Sequence, residues 1–283
     1  MTMQTHRFVF IGGMPRSGTS ATYQVVGTHP QVSRLADTNV GEDEGQFLQP
    51  VYPKEAELGG PARFGLAAGA HLTEDSPLLA GAGERLFQAW APYWDLSKPV
   101  LCEKSPANSI RSRFLQAAFP DSSFIFVTRH PIAYALAIRK WNYPDYRAPL
   151  ALLIRNWLAC QRYLASDLPH LKRRLVLRYE EITTEPDACT RRLEQFLQLP
   201  RGMDSSLLKS GMNTRYFVSW NARDFRKGPQ RLRNILKRLW CEAEVLYIER
   251  RYEKDINAFG YSFNELHSVE PPAPALLRQS RSA

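Results

Sequence analysis

Arg7-Phe8-Val9-Phe10-Ile11-Gly12-Gly13-Met14-Pro15-Arg16-Ser17-Gly18-Thr19-Ser20 is the stretch on which the fold reading turns. Its first five residues form a short apolar run, as a strand buried on both faces requires. A glycine-rich turn follows, and residues 19–28 then read as a helix. Strand, glycine loop and helix together open an α/β unit. Gly13 to Ser20 fits G-x-x-x-x-G-x-[ST], with Thr19 where a nucleotide triphosphatase has lysine. In such a turn the backbone N–H groups and the helix N-terminus form a concave anion site. The triphosphatase lysine reaches the β- and γ-phosphates while Ser/Thr holds magnesium. Here the cation, Arg16, lies inside the loop, which suits a ligand carrying fewer phosphates and bound without metal.

Downstream, residues 99–102, 124–127 and 175–177 read as further short strands, followed by helical stretches over 109–118, 132–141 and 186–197. Apolar strands alternating with helices predict an α/β fold, a central parallel sheet with helices on both faces and a P-loop-like nucleotide site. Ligands in such sheets sit at the carboxyl ends of the strands. Arg129, after Phe124-Ile125-Phe126-Val127-Thr128, stands at one of those ends as a bidentate donor for a second phosphate. Residues 230–253 read as a long amphipathic helix whose apolar positions are Leu232, Leu236, Leu239, Ala243 and Leu246. Residues 54–83, rich in Gly and Ala, read as a long loop or loosely helical insertion. A single domain is expected over 1–267, with 268–283 as a disordered tail.

The chain has 283 residues, 44% of them hydrophobic, and 37 Lys+Arg against 28 Asp+Glu, a formal charge of +9. That excess admits nucleic acid, acidic membrane surfaces or a small polyanion as partner. Cys102, Cys160, Cys189 and Cys241 form no C-x-x-C pair, so a reduced, cytoplasmic setting is expected. The N-terminus carries only four consecutive apolar residues before glycine, and no apolar run approaches the ~20 residues of a membrane span, so neither a secretory nor a transmembrane protein is expected. None of the six histidines has metal-ligand spacing, and no metal site is expected.

Together the motifs resemble the superfamily of sulfotransferases that use 3′-phosphoadenosine 5′-phosphosulfate (PAPS), and within it a bacterial-type member near the protein-tyrosine branch. Pro15-Arg16-Ser17-Gly18-Thr19-Ser20 resembles its 5′-phosphosulfate loop, and Thr128-Arg129-His130-Pro131 its 3′-phosphate segment. Cys102-Glu103-Lys104-Ser105-Pro106 with Phe119-Pro120-Asp121 resembles the segment between them. Arg178-Tyr179-Glu180-Glu181-Ile182, followed by Glu185-Pro186 and Phe196-Leu197, is similar to the family's Y-E-[DE]-L strand end and the helix after it. These matches run in order from Phe8 to Pro200, and Arg226-Lys227-Gly228 resembles an element that reaches the 3′-phosphate.

The resemblance implies transfer of SO3 from PAPS to an acceptor hydroxyl by in-line displacement, leaving 3′,5′-ADP (PAP) and using no metal. Ser17, Gly18, Thr19, Ser20, Arg129, Tyr179, Lys227 and Gly228 would hold the nucleotide, and Arg16 and Lys104 would meet the sulfuryl group. The base would be Glu44, three residues before the apolar pair Phe47-Leu48, with Glu42 and Asp43 as fallbacks. The family's serine eight residues after the strand-end arginine is Ala137 here, so Arg139, Lys140 or Lys227 would have to substitute. Residues 54–83 and 213–220 are expected to contact the acceptor: a small molecule, a glycan or lipid hydroxyl, or a phenol. Trp90, Trp94, Trp141 and Trp220 are candidates for stacking on it or for core. Two other readings stay open. A P-loop kinase or hydrolase is opposed by Thr19. A nucleic-acid-binding module would rest on Arg223, Arg226, Lys227, Arg231, Arg233, Lys237 and Arg238, without a zinc-finger or RNA-binding motif behind it.

Overall fold

A computed structural model describes residues 5–140, 148–208, 213–223 and 233–267. In chain order the elements are β1 (Arg7–Gly13), α1 (Thr19–Gly27), β2 (Val32–Arg34), α2 (Ala82–Trp90), β3 (Val100–Lys104), α3 (Ser112–Ala118), β4 (Ser123–Thr128), α4 (Pro131–Ile138), α5 (Leu150–Asp167), β5 (Arg174–Arg178), α6 (Tyr179–Thr184), α7 (Pro186–Leu197), α8 (Thr214–Asn221) and α9 (Arg233–Asn257). The five strands form one sheet in the order β2-β3-β1-β4-β5, and every neighbouring pair is parallel.

This order sets the site. From β1 the chain runs out to β2 at one edge and returns through β3, whereas β4 and β5 extend the other side. The carboxyl end of β1 is therefore where the winding reverses, the place where open parallel sheets bind ligands. Register carries Ile11 opposite both Lys104 and Ile125, so the β1–α1 turn, Lys104 and Arg129 emerge on the same sheet end.

Strand alternation divides the apolar residues of β1. Phe8 and Phe10 pack with Trp90, Trp94, Phe119 and Phe124 on one face, and Val9 and Ile11 pack with Tyr23, Val25 and Val26 on the other. The predicted strands and the helices over 19–28 and 186–197 are found close to their expected bounds. The helix predicted over 109–118 is instead a 3₁₀ turn, Pro106–Ile110, followed by α3. Between them Arg111 is buried, its guanidinium donating to the carbonyls of Ala107 and Pro53.

Two readings change more. Residues 54–83 are mostly loop with three short 3₁₀ turns, but they do not merely lie over one face: Ala62, Phe64, Ala70 and Leu72 are buried in the core. Among the described side chains of α9 the buried ones are Cys241, Val245, Ile248, Tyr252 and Ile256, while the expected Leu239 and Leu246 are 55% and 47% exposed, and Leu232 and Leu236 lie outside those described. The helix carries two apolar stripes two residues apart, and periodicity alone gives no reason to prefer one. The stripe that continues to Ile256 joins the Trp157 cluster, and α9 packs on α5 there. Among the described residues no helix is long and apolar enough to cross a membrane.

Candidate active site

The turn after β1 is tight: the Ser17 amide donates to the Met14 carbonyl at 3.1 Å. Gly18 has a φ of +98°, and a Cβ there would lie 2.7 Å from the Tyr179 ring, so only glycine lets the loop settle against that residue. Gly18 is also the N-cap of α1 and offers no side-chain cap, so the first amides of the helix stay available to an anion. Ser17 is buried, and its hydroxyl has no hydrogen-bond partner among the described residues. Arg16, at a φ of +63°, is exposed on the cleft, which Gly18, Thr19, Ser20, Glu42, Glu44, Arg129, Tyr179, Arg215 and Tyr216 also line.

Lys104, the last residue of β3, is fully buried beneath this loop. Its Nζ donates to Glu44 Oε1 at 2.9 Å, Glu42 Oε2 at 3.3 Å and Ser20 Oγ at 3.2 Å. Ser20 in turn donates to Glu42. The two carboxylates differ in environment. Burial pushes the Glu44 carboxyl above its ordinary range, and Lys104 only partly opposes this. Glu42 is also partly desolvated, but hydrogen bonds from Ser20 and Lys104 and the Arg16 charge hold it below the usual range. Asp43 is turned elsewhere: its Oδ1 accepts from the Thr38 hydroxyl at 2.6 Å and the Thr38 amide at 3.3 Å. Of the three successive acids, Glu42 and Glu44 meet Lys104 and Asp43 does not.

Across the loop, Arg129 follows β4 and is 5% exposed. Its Nη1 donates to the Arg16 carbonyl, its Nε donates to Asn213 Oδ1 at 2.8 Å, and its guanidinium lies 4.0 Å over the Tyr179 ring. Nη2 is buried and has no partner among the described residues. Glu180 holds this corner together, accepting from Asn213 Nδ2 at 2.6 Å and the His130 amide at 3.0 Å. Desolvation raises its carboxyl above the ordinary range. Tyr216 gathers three cations, with Arg215, Lys140 and Arg129 at 4.8, 4.6 and 5.5 Å from its ring centre. Arg139, by contrast, pairs with Glu244 at 3.9 Å. Lys227 and Gly228 lie outside the described residues, as do Trp141 and 268–283.

A model of the Sulfotransferase family matches residues 9–204, which take in the loop, Lys104, Arg129 and Tyr179. The chain belongs to the sulfotransferase family. Protein-tyrosine sulfotransferase A of Caenorhabditis elegans is 24% identical over 213 residues, covering 70% of this chain and 51% of that protein. The chain thus matches about half the length of that relative. Among solved structures, a sulfotransferase from Mycobacterium avium superposes with a TM-score of 0.50 at 15% identity, covering 87% of this chain and 77% of that one. That likeness is one of fold.

Within the sulfotransferase fold the motif residues Arg16 to Ser20, Glu44, Lys104, Arg129 and Tyr179 converge on one cleft. The acceptor expectations divide. Arg215 and Tyr216 of the 213–220 segment line the cleft, but residues 54–83 contribute nothing to its lining because their apolar side chains are spent in the core. Trp90 and Trp94 are core residues that donate to the carbonyls of Gly45 and Cys102, and Trp220 is buried as well. Sequence reasoning missed Gln46, Asn213, Arg215 and Tyr216 as individual site residues. Asn213 and Tyr216 have no local signal, since their roles arise from where α8 packs. Among the described residues no cluster of His, Cys, Asp and Glu has metal-binding geometry.

Proposed function

We propose that this sulfotransferase moves SO3 from PAPS to an acceptor hydroxyl, with Glu44 as base and with Lys104 and Arg16 as the cations that hold the developing charge. The observation that carries the reading is the contact of the buried Lys104 with Glu44, which lines the cleft beside the glycine-rich loop. A carboxyl kept above its ordinary range by burial, yet oriented by a cation, suits proton abstraction. The residues present fit PAPS. Two buried polar atoms, Ser17 Oγ and Arg129 Nη2, lack partners among the described residues, one at each expected phosphate position. When bound, PAPS supplies the sulfuryl group and a phosphate leaving group.

The chain's own part is alignment, proton uptake and charge stabilisation. Glu44 takes the proton of the acceptor hydroxyl as its oxygen bonds to sulfur and the sulfur–phosphate oxygen bond breaks. Lys104 and Arg16 face the charge that spreads onto the transferring and leaving oxygens. No protein group needs to form a covalent bond, as in phosphoryl transfer, where positioning and electrostatics dominate. For the 3′-phosphate, Arg129 is joined by Arg215 and Lys140 around Tyr216, in place of the serine that is Ala137 here. The worm relative is named for protein tyrosine, so a phenolic hydroxyl is one acceptor class, beside small-molecule, glycan and lipid hydroxyls. Part of the basic charge, at Arg16, Lys104 and Arg129, serves this nucleotide. Four free, buried cysteines support a cytoplasmic setting.

The test is a mass-spectrometric screen for acceptors that gain SO3 from PAPS in the presence of a metal chelator. Chelator-resistant transfer is expected. ATP turnover that requires Mg²⁺, with no PAPS consumption, would overturn the proposal in favour of a kinase or hydrolase.

A further inference from the structure

Glu103 precedes the site lysine and, by strand alternation, points to the opposite face of the sheet from Lys104. It is fully buried and forms no ion pair among the described residues. Three donors converge on its carboxylate instead: the Gly45 amide at 3.0 Å and Ser105 Oγ at 2.6 Å on Oε1, and Asn108 Nδ2 at 2.6 Å on Oε2. The same Ser105 oxygen accepts the Gln46 amide at 3.0 Å, and Asn108 Nδ2 also donates to the Ile11 carbonyl of β1 at 3.1 Å. The two amides that follow Glu44 are thus tied to the end of β3, and that strand end is tied to the strand feeding the phosphate loop.

The Glu44 side chain is fixed through the same group. Gln46 Nε2 donates to Glu44 Oε2 at 2.6 Å while Lys104 holds Oε1, and Gln46 Oε1 is kept in place by the Glu55 amide at 2.9 Å. The contact leaves no slack, because a Cβ on Gly45 would lie 2.6 Å from Glu103 Cγ. We propose that Glu103 is a positioning residue that holds Glu44 in register with Lys104, an inference that rests on the reading of Glu44 as the base. A buried carboxylate without a cation is a costly way to stabilise a fold, and an apolar residue of similar size would do so more cheaply. What the carboxylate provides is three acceptor positions on one rigid group. Burial raises its carboxyl to about 7, which accords with that cost.

The test is Glu103→Gln, whose amide places N–H groups against N–H donors. With carboxyl-¹³C-labelled glutamate, and the Glu44 resonance assigned from Glu44→Gln, the Glu44 titration should move down toward the ordinary carboxylate range as the side chain leaves its buried position. PAP binding by calorimetry should be unchanged, which shows an intact nucleotide site. On the acceptor found by the screen, kcat should fall on the order of 10²-fold with KM unchanged, the cost of a misplaced group. Glu103→Gln should cost nothing further in a Glu44→Gln background, whereas a merely structural role would be additive there. If Glu103→Gln does not fold, Ser105→Ala should give the same changes at smaller size. An unmoved Glu44 titration, or additive losses, would overturn the proposal. A Glu44 titration that moves in a protein whose turnover ignores Glu44→Gln would instead overturn the reading of Glu44 as the base.

Discussion

The two walls of the cleft solve the problem of charge in opposite ways. On the β3 side the one cation is shared by two acids: Lys104 meets Glu42 and Glu44, and the carboxylate oxygens of Glu44 are both engaged. On the β4 side Arg129, Arg215 and Lys140 crowd one tyrosine, none has a carboxylate ion-pair partner among the described residues, and one buried guanidinium nitrogen has no hydrogen bond there. A buried donor left unmade costs about 1–3 kcal/mol. The first wall is preorganised by ion pairs and hydrogen bonds around Lys104, and the second carries cations in excess, as the proposed nucleotide would require.

Substitutions on the two walls should therefore separate turnover from nucleotide affinity. The largest effect is expected from Glu44→Gln, which should lower kcat by ~10²–10⁴-fold with PAP affinity retained. Asp43→Asn, whose carboxylate faces Thr38, should leave kcat close to wild type. Lys104→Met should cost ~10²–10³-fold in kcat and, by leaving one oxygen of the part-buried Glu44 without its donor, about 1–3 kcal/mol of stability in denaturant unfolding. On the other wall, Arg129→Ala should weaken PAP by on the order of 10–10²-fold in calorimetry, as expected for a charge-assisted bond of ~1.5–3 kcal/mol. It should weaken 5′-AMP, which lacks the 3′-phosphate, far less. Equal losses for both nucleotides would place Arg129 elsewhere on the ligand. Arg215→Ala should show the same selectivity at about tenfold, because this more exposed cation is better screened.

The smallest effect concerns stability on the β3 wall. Burial and the nearby Glu44 charge raise the Glu55 carboxyl from 4.5 to about 8. A group whose folded value is raised keeps its proton in the folded state, so its contribution is full below the unfolded value and is lost as pH rises through the folded one. Wild type should lose stability between these two values. Glu55→Gln should lack this part of the loss, so its Tm should rise relative to wild type between about pH 4.5 and about pH 8. A Tm difference that stays constant with pH would show that Glu55 does not keep its proton in the fold.

Much of this site was legible because it is local. The Gly-loop between β1 and α1, Arg129 at the end of β4 and Lys104 at the end of β3 are each signalled by a short apolar run ending in a polar motif, and a parallel sheet aligns such ends without further information. The acids at 42–44 were legible as a group. Which of them faces Lys104 was not, because the choice depends on positive-φ backbone at Glu42 and Asp43 and on the Thr38 bonds that turn Asp43 away. The α9 face was misread for a related reason, since two stripes with the same period compete and only the partner helix selects one.

By itself, then, the sequence determined the alternation of strands and helices, the glycine-rich loop after β1 and the cations at the strand ends, because hydrophobic periodicity and turn chemistry act over a few residues. Only the tertiary structure decided which acid meets Lys104, that Arg215 and Lys140 join Arg129 at Tyr216, and that Glu103 anchors Gly45. Those contacts link residues that lie tens of positions or more apart, and their energies exist only after packing has excluded water and brought the partners together.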